Sequence, residues 1–295
     1  MVIVFGSINL DLVARVPRIP APGETIAGRT LAASPGGKGA NQALAARAAG
    51  AAVAMHGAVG VDTFATGALA NLRAAGVRLD GVATIEAATG VALINVADDG
   101  ENAITVIAGA NALARADAVP DECLARGITL LMQLEVPVTE VASLAARAHA
   151  RGATVVLNAA PAVPLPERIL SAIDVLVVNE SEAAAYAAAW QLPAAPAAFI
   201  AAATQRFGLC VVVTLGARGA MTSSAGGILT LSPPAVAVVD TTGAGDAFAG
   251  ALAAALDRGA DARDAVAAGV AAGALACTHA GAQRWPAATS PPGLK

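Results

Sequence analysis

With 295 residues, 18 basic against 22 acidic side chains and no basic cluster, the chain is long enough for one large domain and lacks the charge pattern of a nucleic-acid binder. Apolar residues reach 56%, but alanine supplies much of this and the runs are interrupted, as where Ala265–Cys277 lies between Asp264 and His279; a spanning helix needs roughly 20 apolar residues, so no membrane partner is expected. Cys123, Cys210 and Cys277 are odd in number and have no metal spacing, and the N-terminus carries no basic n-region, so the expected location is a reducing cytoplasm.

In chain order, Val2–Phe5 reads as a buried strand. Leu10–Pro35 mixes Pro17, Pro20, Pro22 and Pro35 with alternating apolar residues. Asn41–Ala49 reads as a helix stopped at Gly50, Ala52–His56 as a strand, and Thr63–Ala75 as a helix ending near Gly76. Thr89–Val106 reads as a hairpin turning at Asp98–Gly100. Strands at Ile128–Met132, Thr154–Leu157, Val175–Val178 and Cys210–Thr214 then alternate with helices at Val138–Ala150, Ser181–Trp190, Pro196–Arg206 and Asp246–Leu256. This rhythm implies an α/β fold, a mostly parallel sheet with helices on both faces. The two segments that break it, about 10–35 and 89–106, are expected to form a small β lid; ordinary edge strands are the alternative. Residues 1–295 are read as one domain with a mobile tail, S-P-P-G-L-K.

Ligands of such sheets bind in loops after the strands, and the polar signals fall there. Asn9 and Asp11 follow the first strand and alternate, so both side chains can face one side; an amide beside a carboxylate suits a polyol, and a polar turn is the plain alternative. Pro35-Gly36-Gly37-Lys38-Gly39-Ala40-Asn41 is not a phosphate-cradling Walker loop, since Ala32 replaces the leading glycine and Gly39 the hydroxyl residue. Its glycines let backbone approach a ligand at a helix start, within reach of Asn41. Met132-Gln133-Leu134-Glu135 and Leu157-Asn158 close two further strands. Asn179 and Glu182 are spaced as a capping box, the favoured local reading, or to hold water around Mg²⁺. Thr214-Leu215-Gly216-Ala217-Arg218-Gly219 reads as a phosphate loop or a β-turn.

Val239-Asp240-Thr241-Thr242-Gly243-Ala244-Gly245-Asp246-Ala247-Phe248 lacks the third glycine of a dinucleotide fingerprint. If Asp246 opens a helix, the first-turn amides attract phosphate oxygens, and the same potential keeps Asp246 ionised as a base.

These stretches, with G-E-N-A-I and A-G-A-N-A, occur in one order from Val2 to about Gln283. The chain resembles the PfkB carbohydrate kinase family, most closely its ribokinase branch. The resemblance implies a three-layer sandwich with a small β-sheet lid, and ATP-dependent phosphorylation of D-ribose at its 5-hydroxyl; another pentose, a deoxysugar or a nucleoside is the alternative substrate. It further implies that Asn9, Asp11, Gly37, Lys38, Asn41 and Glu135 line the sugar site, and that Asp246 is the base. The Gly243, Ala244 and Gly245 amides would form the anion hole. Asn179, Thr214, Gly216, Arg218, Gly219 and Gly245 would contact ATP. Glu182 would influence Mg²⁺ through water, and Asp240, Thr242, Ala276, His279 and Gly281 would hold K⁺. The lid would mediate a homodimer. Departures from the family pattern are Ala159 after Asn158, Val270 near the adenine position, and Trp285 near the K⁺ position. A sugar-binding protein without catalysis is disfavoured by the intact Gly-Ala-Gly-Asp turn.

Overall fold

Strand Val2–Phe5 has no exposed residue: Ile3 and Phe5 enter one hydrophobic cluster, Val2 and Val4 another. Successive strand side chains point to opposite faces, so a strand buried in this way sits between two helical layers. The structure, a computed structural model, describes residues 1–224 and 226–283; the S-P-P-G-L-K tail lies outside them.

The large sheet has nine strands. From edge to edge they are Gly227–Leu231, Ala220–Ser224, Cys210–Thr214, Val175–Asn179, Thr154–Asn158, Thr129–Met132, Val2–Phe5, Val53–Gly60 and Arg78–Ile85. Ala220–Ser224 pairs antiparallel with both of its neighbours, and all the other pairings are parallel. Val138–Ala150, Glu180–Trp190 and Pro196–Phe207 cover the face that holds Ile3 and Phe5. Tyr186 stacks on Trp190 there with ring centroids 4.8 Å apart. The opposite face carries Lys38–Ala48, Ala244–Asp257 and Ala262–Ala276. Gly250 lets the first two of these helices touch, since a Cβ on it would lie 2.5 Å from both Ala45 Cβ and the Gln42 carbonyl oxygen.

A second, four-stranded sheet runs Thr30–Gly36, Asn9–Val16, Gly90–Ala97, Asn102–Ile107. Both segments that break the alternation contribute to it. The register aligns Asp11 with Ala92 and Ala92 with Val106, so Asn9, Asp11, Ile104 and Val106 share one face. Leu31, Leu93, Ile104, Val106 and Ile107 are all exposed, Leu31 at 72%.

Several boundaries differ from the sequence reading. The helix expected over Thr63–Ala75 is two, Thr63–Ala68 and Ala70–Ala74, meeting at Leu69. The helix expected from Asn41 begins at Lys38, because Gly37 takes a left-handed φ of 88° as its N-cap. The helix expected from Asp246 begins at Ala244, behind Gly243 with φ 78°. Asp246 is therefore the third helical residue, not the first.

Candidate active site

Parallel strands end on one edge of the sheet, and there the chain collects its polar side chains. Ser7 follows the first strand and donates through Oγ to Glu135 Oε2 at 2.6 Å; the Lys38 amide donates to the same oxygen at 3.1 Å. Glu135 is thereby tied to the start of helix Lys38–Ala48. Asn9 is buried, and its Oδ1 accepts from Asn111 Nδ2 at 2.7 Å. Asn111 also clasps the Ile8 backbone, accepting its N–H at 2.9 Å and donating to its carbonyl at 3.1 Å. Asp11 lies against Gly36, where any Cβ would strike its carboxylate. Burial first, then Glu135 and Asp246, raise the Asp11 pKa from 3.8 to about 6.

Asp246 is buried at the base of a cleft of about 130 Å³ lined also by Lys38, Asn179, Glu182, Gly243 and Gly245. Its Oδ2 accepts from Asn41 Nδ2 and its Oδ1 from Gln42 Nε2, both at 2.9 Å. Burial pushes the Asp246 pKa up; Lys38, Asn41 and Gln42 pull against it and Glu135 adds to it. The helix-start potential expected to favour the ionised carboxylate is thus opposed by desolvation, the larger influence on its pKa. Burial works against the Lys38 ammonium as well, but Asp246, Glu135 and Glu182 outweigh it and leave its pKa above the ordinary lysine value.

The expected anion hole is also modified. The Ala244 amide donates to the Thr241 carbonyl at 3.2 Å, forming part of the turn, while Gly245 and Asp246 are first-turn residues whose amides an α-helix leaves without internal partners. Asn41, expected at the sugar, has its amide oxygen engaged by Gln283 Nε2 at 2.8 Å.

Asn179 and Glu182 form a full capping box, each accepting the other's backbone N–H at 2.8 Å. Glu182 also lines the cleft. Burial raises its pKa, the Asn179 amide and Lys38 lower it, and Asp246 raises it further. Thr214 lines the cleft beside it. Gly216 and Gly219 close a tight turn, with the Leu215 amide donating to the Gly219 carbonyl at 2.7 Å. Arg218, expected to contact ATP, is exposed and paired with Glu180.

Asp240 accepts through Oδ1 from the Thr242 amide (2.9 Å) and hydroxyl (2.7 Å), and through Oδ2 from the Gly281 amide (2.8 Å). Burial opposes its charge, but the donors from Thr242 and Gly281 outweigh it and hold the carboxyl below its ordinary pKa. The Ala276 carbonyl accepts the His279 amide at 3.3 Å. Asp240 and Gly281 are thus joined. Oxygens already accepting one hydrogen bond keep a second lone pair for a cation. No group of three or more His, Cys, Asp or Glu suited to a metal occurs among the described residues. Any ion here would depend on carbonyl, water or phosphate oxygens. Val270 is buried, and Trp285 lies outside the described residues.

Sequence reading gave no role to Gln42, Gln133, Ser7 or Asn111. Gln133 stands in M-Q-L-E, noted for its strand-end carboxylate, and Asn111 in A-G-A-N-A, noted only for resemblance. Gln42 is an uncharged residue in an alanine-rich helix, and only its three-dimensional partners mark it.

A model of the pfkB family of carbohydrate kinases matches residues 1–289. The ribokinase of Schizosaccharomyces pombe is 38% identical, over 99% of this chain and 95% of its own. That of Haemophilus influenzae is 37% identical, over 95% and 93%. Among solved structures, Thermotoga maritima ribokinase superposes with a TM-score of 0.88 at 31% identity, covering 96% of this chain and 94% of its own. Arabidopsis thaliana ribokinase complexed with ribose and ATP superposes with a TM-score of 0.85 at 30% identity, covering 95% and 93%.

Proposed function

The chain belongs to the pfkB family of carbohydrate kinases, and from that premise we propose that it phosphorylates D-ribose at the 5-hydroxyl with ATP, giving ribose 5-phosphate and ADP. The observation that carries this reading is the meeting of Asp246, Lys38 and the first turn of helix Ala244–Asp257 in one cleft at the strand ends. An alcohol presented there has a carboxylate to take its proton, and the terminal phosphoryl group has helix amides to hold its oxygens.

Asn9, Asp11 and Glu135 bind the sugar hydroxyls, Gly37 gives them close access to backbone, and Lys38 and Asn41 complete the site wall. The 5-oxygen attacks the γ-phosphorus while its proton passes to Asp246; the bond to the β,γ-bridging oxygen breaks and ADP leaves. Phosphoryl transfer has a loose transition state, so orientation and charge stabilisation dominate. Lys38 stands among Asp246, Glu135 and Glu182 and offsets charge that the phosphates would add. Asn179, Thr214, Gly216, Gly219 and Gly245 form the nucleotide side, with Arg218 at its rim.

Glu182 and Asp246 both line the cleft and burial raises the carboxyl pKa of each, so a cation there would favour their ionised forms. Mg²⁺ would arrive with the phosphates and be held through water by Glu182, and it supplies charge neutralisation. K⁺ would lie among Asp240, Thr242, Ala276, His279 and Gly281, next to the anion-binding turn.

The exposed Leu31, Leu93, Ile104, Val106 and Ile107 give the second sheet apolar faces that a second copy would cover. We assign it the roles of lid and dimer surface. Ile104→Asp would yield a monomer in light scattering, and an unchanged mass would count against the assignment. No helix among the described residues is long and apolar enough to cross a membrane; we infer a cytoplasmic enzyme.

One feature favours a larger substrate. A cavity of about 450 Å³ beside Asn9 and Glu135 is walled by Val106, Leu134, Val136 and Pro137, which leaves room beyond a pentose. A coupled ADP-release assay across ribose, deoxyribose, fructose and several nucleosides separates the readings. Ribose is expected to give the highest kcat/KM, and a nucleoside doing so would replace it.

A further inference from the structure

Asp246 meets the opposite helix through two neutral amides. Asn41 holds one carboxylate oxygen and Gln42 the other. Gln42 is wholly buried, and its amide is engaged at both ends. Its Nε2 also donates to Asn158 Oδ1 at 2.9 Å, and its Oε1 accepts from Gln133 Nε2 at 2.8 Å. A primary amide has two N–H donors, and Asp246 and Asn158 use both. Turned over, the Gln42 amide would set its oxygen against two acceptors and its N–H groups against the N–H of Gln133. One orientation satisfies all four groups.

Gln133 is wholly buried as well, yet its Oε1 has no hydrogen-bond partner among the described residues. That oxygen presses on Gly6, where an added Cβ would lie 1.8 Å away. An orphaned buried acceptor is costly, and an apolar residue of the same size would avoid it. The glutamine is explained if its donor end is needed, and that end touches only Gln42 in the hydrogen bonds described.

Resting on the reading of Asp246 as the base, we propose that Gln42 is a positioning residue for that carboxylate, and that Gln133 behind it fixes which way the Gln42 amide faces. The relay Gln133–Gln42–Asp246 holds the carboxylate toward the cleft as a proton acceptor. Gln42 touches no substrate in this account; it acts through Asp246. The charged groups around Asp246 are Lys38 at the head of the same helix as Gln42, Glu135 after its strand, Glu182 in the capping turn and Asp11 on the second sheet. Gln42 is one of the few groups that favours the ionised form against burial.

The test measures kcat and KM for ribose between about pH 5 and 9 in the full-chain enzyme, with thermal melting of each variant alongside. Gln42→Leu is expected to lower kcat at pH 7 at least tenfold, leave KM for ribose within about twofold, and move the acid limb of kcat up by about one pH unit or more, the equivalent of one hydrogen bond to a charged acceptor. Gln42→Glu sets a second carboxyl against Asp246, so one proton is shared and the limb moves further up than in Gln42→Leu. Gln133→Leu keeps both partners of Asp246 and moves the limb less, in the same direction. A merely structural role would lower melting temperature without moving that limb.

An unmoved acid limb in a folded Gln42 variant, or an effect confined to KM, overturns the proposal. Should Gln42→Leu fail to fold, Gln42→Glu and Gln133→Leu decide on the same limb. If Asp246→Asn keeps full turnover, the base reading itself has failed. If Asp246→Asn is inactive while the Gln42 limb stays put, only the relay has failed.

Discussion

Asn41 and Asp246 lie 205 residues apart in the chain and 2.9 Å apart in space, Nδ2 to Oδ2. Each belongs to a glycine-rich turn that opens a helix on the same face of the sheet, and the two helices cross closely enough for the side chains to meet. Asp246→Asn keeps the shape and removes the proton acceptor. Turnover is expected to fall about 10²- to 10⁴-fold, the usual worth of a general base, while ribose still binds in calorimetry. Unchanged turnover would remove Asp246 from the base role.

Asp11 predicts a pH effect on binding rather than chemistry. Its folded-state pKa of about 6 stands above the ordinary 3.8, with burial the leading cause. The native state therefore keeps this proton to higher pH than the unfolded chain. The group's contribution to stability declines as pH rises from 3.8 through about 6 and is level above it. An ionised carboxylate accepts hydroxyl hydrogen bonds more strongly than a protonated one. KM for ribose should rise as pH falls below about 6, and Asp11→Asn should flatten that rise. A KM independent of pH in the native enzyme would contradict it.

Potassium is expected to stimulate the enzyme through the Asp240 turn. Asp240→Ala removes the two hydrogen bonds from Thr242 that close the turn and the one from the Gly281 amide that ties the turn to that residue. It should abolish the difference between potassium and a large organic cation. Equal rates in the two salts with the native chain would remove the ion from the account.

Gly250→Ala tests the helix crossing. The new methyl would press on Ala45 and on the Gln42 carbonyl, and overpacking of this kind costs about 1–3 kcal/mol. Chemical denaturation should show that loss. Because Gln42 bears the contact, kcat should fall by more than the unfolded fraction explains.

The alternation of strands and helices was legible because valine-rich runs and alanine-rich runs differ in composition. The glycine turns at Gly37 and Gly243 were legible because little else adopts their φ. What escaped had no such contrast. Ala262–Ala276 is charge-free for most of its length, so no polar face marks it as a helix, although Asp261 caps it through the Asp264 amide. Leu69 divides the stretch without a proline, and its one glycine, Gly67, lies inside the first helix rather than at the break. The upward push on the Asp246 pKa was not legible because local sequence shows the helix start but not the burial that opposes its charge. Gln42 and Gln133 are neutral, and neutral amides give no signal until their partners are known.

The second sheet is spliced into the first with almost no slack. Only Gly6, Ser7 and Ile8 separate strand Val2–Phe5 from Asn9–Val16, and only Gly37 separates Thr30–Gly36 from helix Lys38–Ala48. The sheet is therefore a lever with two stiff, very short arms. Any tilt of it must turn Ser7 and the head of that helix, which between them hold Glu135. Arrival of a sugar beneath the sheet should slow amide exchange at residues 6–8 and 37–39 together, far from the exposed strand tips, because both short connections would have to move with the sheet.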